Sequence, residues 1–344
     1  MKVVLFCQNA YCFEIMRPIM AVLKERKYAY TWFIAPKLAS LFPFKEEPVT
    51  ESLQDLIAFK SDAIICPGNE VPHYLRGVKV QIFHGLAGEK KGHFRIRHYF
   101  DLYLTQGPYF TSHFKKFQKR YNNFEVLETG WSKLDAYTRD KEILLKEKAA
   151  LLHSLDADKV LLYAPTFSPS LSSAALFKTQ LEALAAAGEF IINIKFHDLM
   201  AKEFIDYYKA LSERYPTVFF KEGRDIVAQF IVADLLISDT SSVIYEFLLI
   251  DKPVITLNNI SENIRWDDIK NPEELSTAVI NNLNTDSFKK QRAAVIAAYH
   301  PYHDGKSSER MVDAIENFIS KNGVPEKRKL SLFRKYKINK IFKR

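Results

Sequence analysis

Short runs rich in β-branched and aromatic residues alternate with helical stretches along most of this 344-residue chain. Such alternation is typical of a mostly parallel sheet covered by helices. Before residue 130 the strand-like runs cover 2–7, 28–34, 62–66, 78–83, 102–105 and 124–129. A charged helical stretch then extends to about His153, and the pattern restarts at 159–164, 190–196, 218–220, 234–238 and 253–257. The restart predicts an α/β fold made of two doubly wound, Rossmann-like domains.

The same pattern predicts where the domains begin and end. We expect a first domain over residues 1–132, a linker helix over 133–157 and a second domain over 158–322. Open parallel sheets bind ligands beyond the carboxyl ends of their strands, so we expect the two domains to face a common cleft. Functional residues are therefore expected directly after strand-like runs.

Composition excludes several other classes of protein. Hydrophobic residues make up 47% and charged residues 26%, as in a globular protein with its own core. Three cysteines without paired or metal-binding spacing favour a reducing compartment, and no apolar run approaches the roughly 20 residues of a membrane-spanning helix. The eleven glycines form neither a G-x-G-x-x-G nor a P-loop motif. We expect a cytoplasmic protein without a metal or cofactor, whose first residues form a strand and not a signal peptide.

The C-terminal residues carry the excess of positive charge. Residues 327–344 hold nine Lys or Arg and no acidic residue, in a chain of net charge +8. Apolar and aromatic side chains are interleaved with these charges, so residues 323–344 are predicted to form a basic amphipathic tail that binds an anionic membrane surface. The alternative is a solvated tail or one that binds nucleic acid non-specifically, and we expect no specific nucleic acid partner. Because Gly323 and Pro325 end the ordered pattern, the core is not expected to depend on the tail.

A histidine follows one of the strand-like runs directly. That run ends in His84-Gly85, and a histidine delivered to the end of a buried strand can act as a general base near neutral pH. A lone histidine more often only binds a loop, but Gly85 would let the backbone approach a ligand closely. The basic segment 90–98 is expected either to form a solvated face or to hold a phosphate-bearing substrate. The candidate acceptor or phosphate contacts are Gly85, Lys90, Lys91, Arg95 and Arg97.

Three segments in the second half also place polar residues after strand-like runs. One run ends in Thr166 and another in His197, and we expect these side chains to contact a donor and a phosphate oxygen. A third run leads into Asp239-Thr240-Ser241-Ser242 at a helix start, where hydroxyls and backbone N–H groups favour phosphate. Glu246, one turn further on, is predicted to reach a ribose or base. Ordinary turn chemistry and helix capping by Asp239 or Ser241 are the alternatives, and the acidic pair Asp267-Asp268 receives little weight.

Four motifs occur in one order along the chain. They are Phe83-His84-Gly85, Tyr163-Ala-Pro-Thr-Phe167, Ile194-Lys-Phe-His197, and Ile237-Ser-Asp-Thr-Ser-Ser-Val243 followed by Asp251-Lys-Pro253. In this order and spacing they resemble the CDP-glycerol glycerophosphotransferase family of teichoic-acid and related polymer synthesis, over about residues 60–258. The resemblance implies a GT-B fold, a CDP-activated polyol donor and an acceptor attached to a membrane lipid or a growing polymer.

The resemblance also implies roles for single residues. His84 would be the base, His197 a phosphate contact, and Asp239, Ser241 and Ser242 part of the donor-phosphate segment. The chain differs from the usual family pattern in having Phe83 for Trp, Phe167-Ser168 for Trp-Arg, Asp198 for Pro and Thr240 for Tyr. Ser168 stands where the family has arginine, and this difference bears on which donor the chain uses.

These residues favour a transferase bound peripherally to the inner face of the cell membrane. An acceptor hydroxyl, deprotonated by His84, would attack the β-phosphorus of a CDP-alcohol and release CMP, and glycerol phosphate is the favoured group. The alternative is a GT-B glycosyltransferase that uses a nucleotide-sugar donor for a surface polysaccharide and releases a nucleoside diphosphate. A third hypothesis, a non-catalytic nucleotide-binding or membrane-scaffolding module, predicts that loss of both histidines is harmless.

Overall fold

The computed structural model describes residues 1–86, 94–139, 141–223 and 226–342. The chain divides into two compact units, which we call unit 1 (Met1–Thr138 with Ala298–Arg344) and unit 2 (Arg139–Ala297). Each unit has its own parallel sheet and its own buried core. The predicted class, two doubly wound α/β domains, is confirmed.

Unit 1 contains a seven-stranded parallel sheet. Its strands are, in chain order, β1 Lys2–Cys7, β2 Ala29–Ile34, β3 Val49–Thr50, β4 Ala63–Cys66, β5 Val78–Gln81, β6 Leu102–Thr105 and β7 Glu125–Glu128. In the sheet they lie in the order β3-β2-β1-β4-β5-β6-β7. The chain builds outward from β1 to one side and then to the other, so a topological switch point lies between β1 and β4.

The inner strands of unit 1 are nearly continuous apolar runs because helices cover the sheet. Three of these helices precede residue 130: α1 Cys12–Glu25, α2 Leu53–Phe59 and α3 Pro108–Tyr121. The region predicted as a linker helix over 133–157 contains a 3₁₀ turn at Ser132–Leu134, α4 Asp135–Arg139 and α5 Lys141–Leu155. The division between the units falls within this region, at Thr138 and Arg139.

Unit 2 contains a six-stranded parallel sheet. Its strands are β8 Lys159–Tyr163, β9 Phe190–Ile194, β10 Val218–Phe220, β11 Leu235–Ser238, β12 Val254–Leu257 and β13 Asp267–Ile269, in the sheet order β10-β9-β8-β11-β12-β13. A second switch point therefore lies between β8 and β11. The helices are α6 Lys178–Ala187, α7 Lys202–Arg214, α8 Val227–Val232, α9 Val243–Leu248, α10 Leu275–Asn284 and α11 Lys289–Tyr299, which ends in unit 1.

Each strand-like run identified in the sequence contains a strand, with ends that agree within about two residues. The sequence patterns missed β3 and β13, which are short strands at the edges of the two sheets. Two or three residues are too few to show a period of two, so only the pairing with a neighbouring strand defines them.

The C-terminal part of the predicted second domain lies in unit 1 instead. Helix α12 Ser307–Asn322 packs on α1. Its first turn is held by Asp135, whose two carboxylate oxygens accept hydrogen bonds from the backbone N–H groups of Ser307 (3.0 Å) and Ser308 (2.6 Å). In the middle of the helix, Glu316 accepts from the Tyr28 hydroxyl at 2.8 Å. These long-range contacts leave no local pattern in the sequence.

Residues 323–342 of the predicted tail are part of unit 1, which corrects the expectation that the core is independent of the tail. It forms helix α13 Leu332–Ile341, and Ile338 in this helix is fully buried in the unit 1 core. Before the helix, Arg328 pairs with Asp101 at 2.5 Å and donates to the backbone oxygen of Asn123 at 2.6 Å. The polar turn at Gly323 suggested an end, but the chain returns to the domain after it.

None of the helices described here, from α1 to α13, combines the length and the apolar character needed to cross a lipid bilayer.

Candidate functional site

His84 lies in unit 1 just after β5, where the backbone turns sharply. Phe83 has a positive φ of 59° and buries its ring among the aromatic side chains of the core, while His84 is exposed. The His84 Nδ1 atom lies 3.2 Å from the backbone oxygen of Pro67, in the loop after β4. A carbonyl oxygen only accepts, so Nδ1 carries the proton and Nε2 is the basic nitrogen of the neutral ring. This tautomer suits a general base.

The ring of Tyr11 packs against the ring of His84. The ring centroids are 5.0 Å apart and the planes differ by 29°. Tyr11 stands at the start of α1, and its hydroxyl accepts a hydrogen bond from the Asn9 side chain at 3.2 Å. Burial is the main cause that raises the pKa of Tyr11 above its usual value, so the phenol remains protonated. Tyr11 thus fixes one face of the histidine, and the sequence analysis missed it.

The other predicted contacts near His84 differ in their hydrogen bonds and in their exposure. Gly85 accepts a hydrogen bond from the buried Gln106 at 3.0 Å, and a Cβ atom at Gly85 would meet no heavy atom of the described residues within 4 Å. Arg97 donates to the Asn69 side chain at 3.0 Å, while Arg95 is exposed. Lys90 and Lys91 lie outside the described residues. Among the predicted contacts that are described, the Arg95 side chain and the space beside Gly85 are therefore accessible to a ligand.

In unit 2 the predicted motifs meet at the β8–β11 switch point. Asp239 follows β11, is fully buried and bridges two loops. Its Oδ1 accepts from the backbone N–H groups of Thr166 (2.9 Å) and Thr240 (2.6 Å), and its Oδ2 accepts from the N–H (2.8 Å) and the hydroxyl (3.0 Å) of Ser173. Burial raises the pKa of Asp239, although these hydrogen bonds oppose the shift.

This geometry changes the role assigned to Asp239. Its carboxylate oxygens are occupied by donors of the protein itself, and a buried negative charge would repel a phosphate. Asp239 therefore positions the loop over 164–173 against the segment over 240–242. We interpret Asp239 as a positioning residue, and the role of its segment in phosphate binding stays a prediction.

The hydroxyl residues after Asp239 are differently exposed. Thr166 and Ser241 are half-buried, Ser242 is exposed, and the Thr240 hydroxyl oxygen is buried without a hydrogen-bond partner among the described residues. Ser241 accepts from the Val243 N–H at a long 3.5 Å, and Ser242 occupies the N-cap position without a side-chain cap bond. Helix capping therefore explains little of why hydroxyl side chains occupy positions 241 and 242. Since α9 has six residues, its dipole is small.

His197 follows β9, the neighbour of β8 in the sheet. Its Nδ1 accepts a hydrogen bond from the Leu199 N–H at 3.1 Å, so the neutral ring carries its proton on Nε2. The ring lies against Phe167 with centroids 4.5 Å apart, and both side chains are exposed. His197 thus presents an N–H donor, the tautomer opposite to that of His84.

Two more residues of the prediction lie deeper in unit 2. Glu246 is in α9 and only 8% of it is exposed. Lys195, directly after β9, is buried and donates to the backbone oxygen of Phe196 at 3.2 Å.

A chain of hydrogen bonds from Asp268, which we call the Asp268 relay, supports the Asp239 segment. Asp268 belongs to the acidic pair that received little weight in the sequence analysis. Asp268, in β13, accepts from the Thr256 hydroxyl at 2.7 Å and from the Asn259 N–H at 2.9 Å. The Asn259 side-chain amide in turn donates to the backbone oxygen of Asp239. Trp266 completes the relay by donating to Thr256 at 2.9 Å. The pair Asp267-Asp268 thus forms two of the three residues of β13, the edge strand of the unit 2 sheet.

Across residues 1–86, 94–139, 141–223 and 226–342, no three His, Cys, Asp or Glu side chains are grouped so as to hold a metal ion.

A protein-family model described as CDP-Glycerol:Poly(glycerophosphate) glycerophosphotransferase matches residues 84–317. The teichoic acid ribitol-phosphate polymerase TarL of Staphylococcus aureus (strain NCTC 8325 / PS 47) is 30% identical over 177 residues, 45% of this chain and 30% of that protein. The teichoic acid glycerol-phosphate primase of Bacillus subtilis (strain 168) is 24% identical over 241 residues, 63% of this chain and 58% of that protein. The chain therefore spans between about a third and three fifths of the length of these curated relatives.

A solved structure of the wall teichoic acid polymerase TagF is also similar. Its TM-score to this chain is 0.68 at 17% sequence identity, over 93% of this chain and 89% of that chain. At this identity the likeness concerns the fold, which is of the GT-B type that the sequence motifs implied.

Proposed function

The chain belongs to the CDP-glycerol:poly(glycerophosphate) glycerophosphotransferase family, whose model spans more than half of it, and on this premise we propose that it is a polyol-phosphate transferase. It moves a polyol phosphate, with glycerol phosphate favoured, from a CDP-activated donor to a hydroxyl of a membrane-linked glycan or polymer. The second product is CMP.

The observation that carries the proposal is the convergence of loops at the β8–β11 switch point of unit 2. Asp239 ties Thr166 to Thr240, and Phe167 holds the ring of His197. Hydroxyls and a histidine N–H are thereby gathered beyond the carboxyl ends of parallel strands, where such sheets bind nucleotides. The donor-phosphate contacts we propose are Thr166, His197, Thr240, Ser241 and Ser242, with Glu246 as the nucleoside contact.

His84 is proposed as the base because of its tautomer. With the Nδ1 proton committed to the Pro67 carbonyl, Nε2 takes the proton of the acceptor hydroxyl. The hydroxyl oxygen then forms a bond to the β-phosphorus of the donor. The bond from this phosphorus to the oxygen that bridges to the α-phosphate breaks, and CMP leaves with that oxygen.

His197 and the 239–242 segment are proposed to stabilise the charge that grows on the phosphate oxygens. With Nδ1 accepting from the Leu199 N–H, the Nε2–H of His197 is the donor for a phosphate oxygen. Asp239 contributes indirectly, because its four hydrogen bonds keep the loop in place before the donor arrives. Arg95, Arg97, Lys90, Lys91 and Gly85 remain the candidates for the acceptor side.

The nature of the acceptor gives the proposed place of action. A polymer or glycan attached to a lipid is available to a cytoplasmic enzyme only at the inner face of the cell membrane. We therefore propose a peripheral membrane protein whose partners are the CDP-alcohol, the lipid-linked or polymer acceptor and an anionic lipid surface. No specific nucleic acid is part of the proposal.

The test is to identify the nucleotide that turnover releases. Purified enzyme is incubated with a lipid-linked acceptor analogue and, in separate reactions, CDP-glycerol, CDP-ribitol and UDP-sugars, and the nucleotides are separated by anion-exchange chromatography. We expect acceptor-dependent CMP from a CDP-polyol. Release of UDP from a nucleotide sugar, with no CMP from either CDP-polyol, would replace the proposal by the glycosyltransferase alternative.

A further inference from the structure

Helix α13 has two apolar faces, and only one of them is used by the fold. On the inner face Ile338 is fully buried in the core of unit 1. The flanking Leu330 and Phe342 pack against the same core, and the Phe342 ring lies 5.7 Å from that of Phe6, edge to face. Ser331 caps the helix by accepting from the Arg334 N–H at 3.4 Å. The helix is therefore fixed to unit 1 in one orientation.

The outer face exposes large apolar side chains. The exposed fractions are 83% for Leu332, 69% for Phe333, 69% for Tyr336 and 43% for Ile341. In a helix with 3.6 residues per turn, positions 332, 333 and 336 fall within about 100° of one another. They lie on the side of the helix opposite Ile338. A fixed helix thus holds a leucine and two aromatic rings out into solvent.

Positive charges border these side chains. Lys337 and Lys340 are exposed on the same side of α13, and residues 327–344 contain no acidic residue in the sequence. Arg328, which precedes α13, pairs with Asp101 and is not part of the outer face. The outer face therefore combines apolar anchors with a one-signed charge.

We propose that the outer face of α13, formed by Leu332, Phe333, Tyr336, Lys337 and Lys340 with Ile341 at its margin, binds directly to the surface of an anionic lipid bilayer. Leucine, phenylalanine and isoleucine gain free energy by entering the acyl boundary, tyrosine prefers the headgroup level, and the lysines face anionic headgroups. The inference deepens the proposed function by naming the surface that brings the enzyme to a membrane-linked acceptor, and its biological meaning rests on that function.

Other occupants fit this face less well. A second copy of the chain would place two sets of lysines against each other, and like charges repel across an interface. A nucleic acid backbone would pair with the lysines but would leave Leu332 and Ile341 without apolar partners. An anionic bilayer satisfies both kinds of side chain at once.

The test is vesicle cosedimentation of the full-length protein. Vesicles are made of phosphatidylcholine alone or with phosphatidylglycerol, at low and high salt. We compare the wild type with Leu332→Ser/Phe333→Ser/Tyr336→Ser. The substituted side chains are exposed, so the variant should keep its unfolding temperature. We expect binding to anionic vesicles to fall about tenfold or more, since each anchor contributes apolar area.

Two control variants sharpen the test. Ile143→Ser/Leu176→Ser/Leu199→Ser removes similarly exposed apolar side chains from unit 2 and should bind vesicles as the wild type does. Lys337→Gln/Lys340→Gln should weaken binding to anionic vesicles mainly at low salt, because screening already reduces the attraction at high salt.

The proposal is overturned if the α13 triple variant pellets with anionic vesicles as well as the wild type does. It is also overturned if the wild type binds polyuridylic acid but not the vesicles, which would point to a nucleic acid surface. CDP-glycerol affinity and CMP release with a water-soluble acceptor are measured on the same variants. A failure of the proposed function would abolish these readouts in the wild type, while a failure of the membrane proposal would leave them intact.

Discussion

The ring of Tyr11 lies against the ring of His84, with 5.0 Å between centroids and 29° between planes. Tyr11 comes from the loop after β1, and His84 from the loop after β5. The histidine is held twice, because its Nδ1 also lies 3.2 Å from the Pro67 oxygen in the loop after β4. Three loops at one edge of the unit 1 sheet therefore fix the orientation in which Nε2 is presented.

This arrangement predicts different effects for the two residues. His84→Ala should lower kcat by about 10²–10⁴ with little change in donor affinity, since a general base acts in the transition state. Tyr11→Ala should lower kcat less, by about tenfold, because the base is kept but its orientation is freer. Tyr11→Phe keeps the stacked ring and is the matched control. Steady-state kinetics check these values, and a Tyr11→Phe variant as slow as Tyr11→Ala would show that the hydroxyl matters and not the stacking.

The hydroxyls after β11 give a prediction about binding. Ser241→Ala/Ser242→Ala should raise the Kd for CDP-glycerol by about tenfold or more, since a hydrogen bond to a charged group contributes roughly 1.5–3 kcal/mol. Stability should change little, because the cap bond of Ser241 is long and Ser242 makes none. Isothermal titration calorimetry measures the affinity. The control is Ser154→Ala/Ser212→Ala, whose hydroxyls bond only to carbonyl oxygens of their own helices.

The Asp268 relay predicts an effect at a distance. Asp268→Ala should destabilise unit 2 by about 1–3 kcal/mol, because it leaves the buried Thr256 hydroxyl and the Asn259 N–H without their acceptor. It should also raise the KM for the donor, since Asn259 supports the backbone of Asp239. The matched control is Asp267→Ala, which loses only a hydrogen bond of 2.7 Å from Asn282. Equal KM values for the two variants would show that the relay is merely structural.

The tail gives a prediction about stability. Truncation after Gly323 removes Ile338 from the core and Arg328 from Asp101, so it should destabilise unit 1. Ile338→Ala alone should cost about 2–4 kcal/mol, as for other buried large-to-small changes. Leu332→Ala, at a position that is 83% exposed, is the control and should change stability by less than about 0.5 kcal/mol. Urea unfolding curves compare them, and equal midpoints for the Ile338 and Leu332 variants would refute the docked helix.

The features that the sequence predicted are those with a local signature. A buried strand is a continuous apolar run, and the polar residue after it stands at the edge of the sheet, so the neighbourhood of Thr166 and Asp239 followed from their positions alone. The tautomers of His84 and His197 could not be predicted from the sequence, because each depends on a backbone atom that the fold brings to the ring.

The features that the sequence missed depend on contacts between distant segments. Tyr11 follows β1 at the switch point, and that position was the one signal available, but nothing local shows that its ring meets His84. Asp268 sits in a strand too short for a periodic pattern. Ile338 is one apolar residue among many in a basic segment, and only the packing of α13 distinguishes it from the exposed Leu332.

The last prediction concerns pH and the buried His300 of unit 1. Burial is the main cause that lowers the pKa of His300 to about 4, and the positive charges of His303 and Arg310 act in the same direction. Its ordinary value is about 6.5, so between pH 4 and 6.5 the unfolded chain binds more protons at this position than the folded chain does. The stability contributed by neutral His300 is therefore fully present above pH 6.5 and is lost as the pH falls toward 4. At about 1.4 kcal/mol per pH unit, the free energy of unfolding should drop by roughly 2 kcal/mol from this group between pH 7.5 and 5.

Urea unfolding at the two pH values gives the wild-type drop in the free energy of unfolding, and His300→Gln should reduce this drop by about 2 kcal/mol. His153→Gln replaces an exposed histidine of unit 2 and is the matched control, which should keep the wild-type dependence. If His300→Gln instead loses as much stability as the wild type on acidification, the pH dependence arises from other groups.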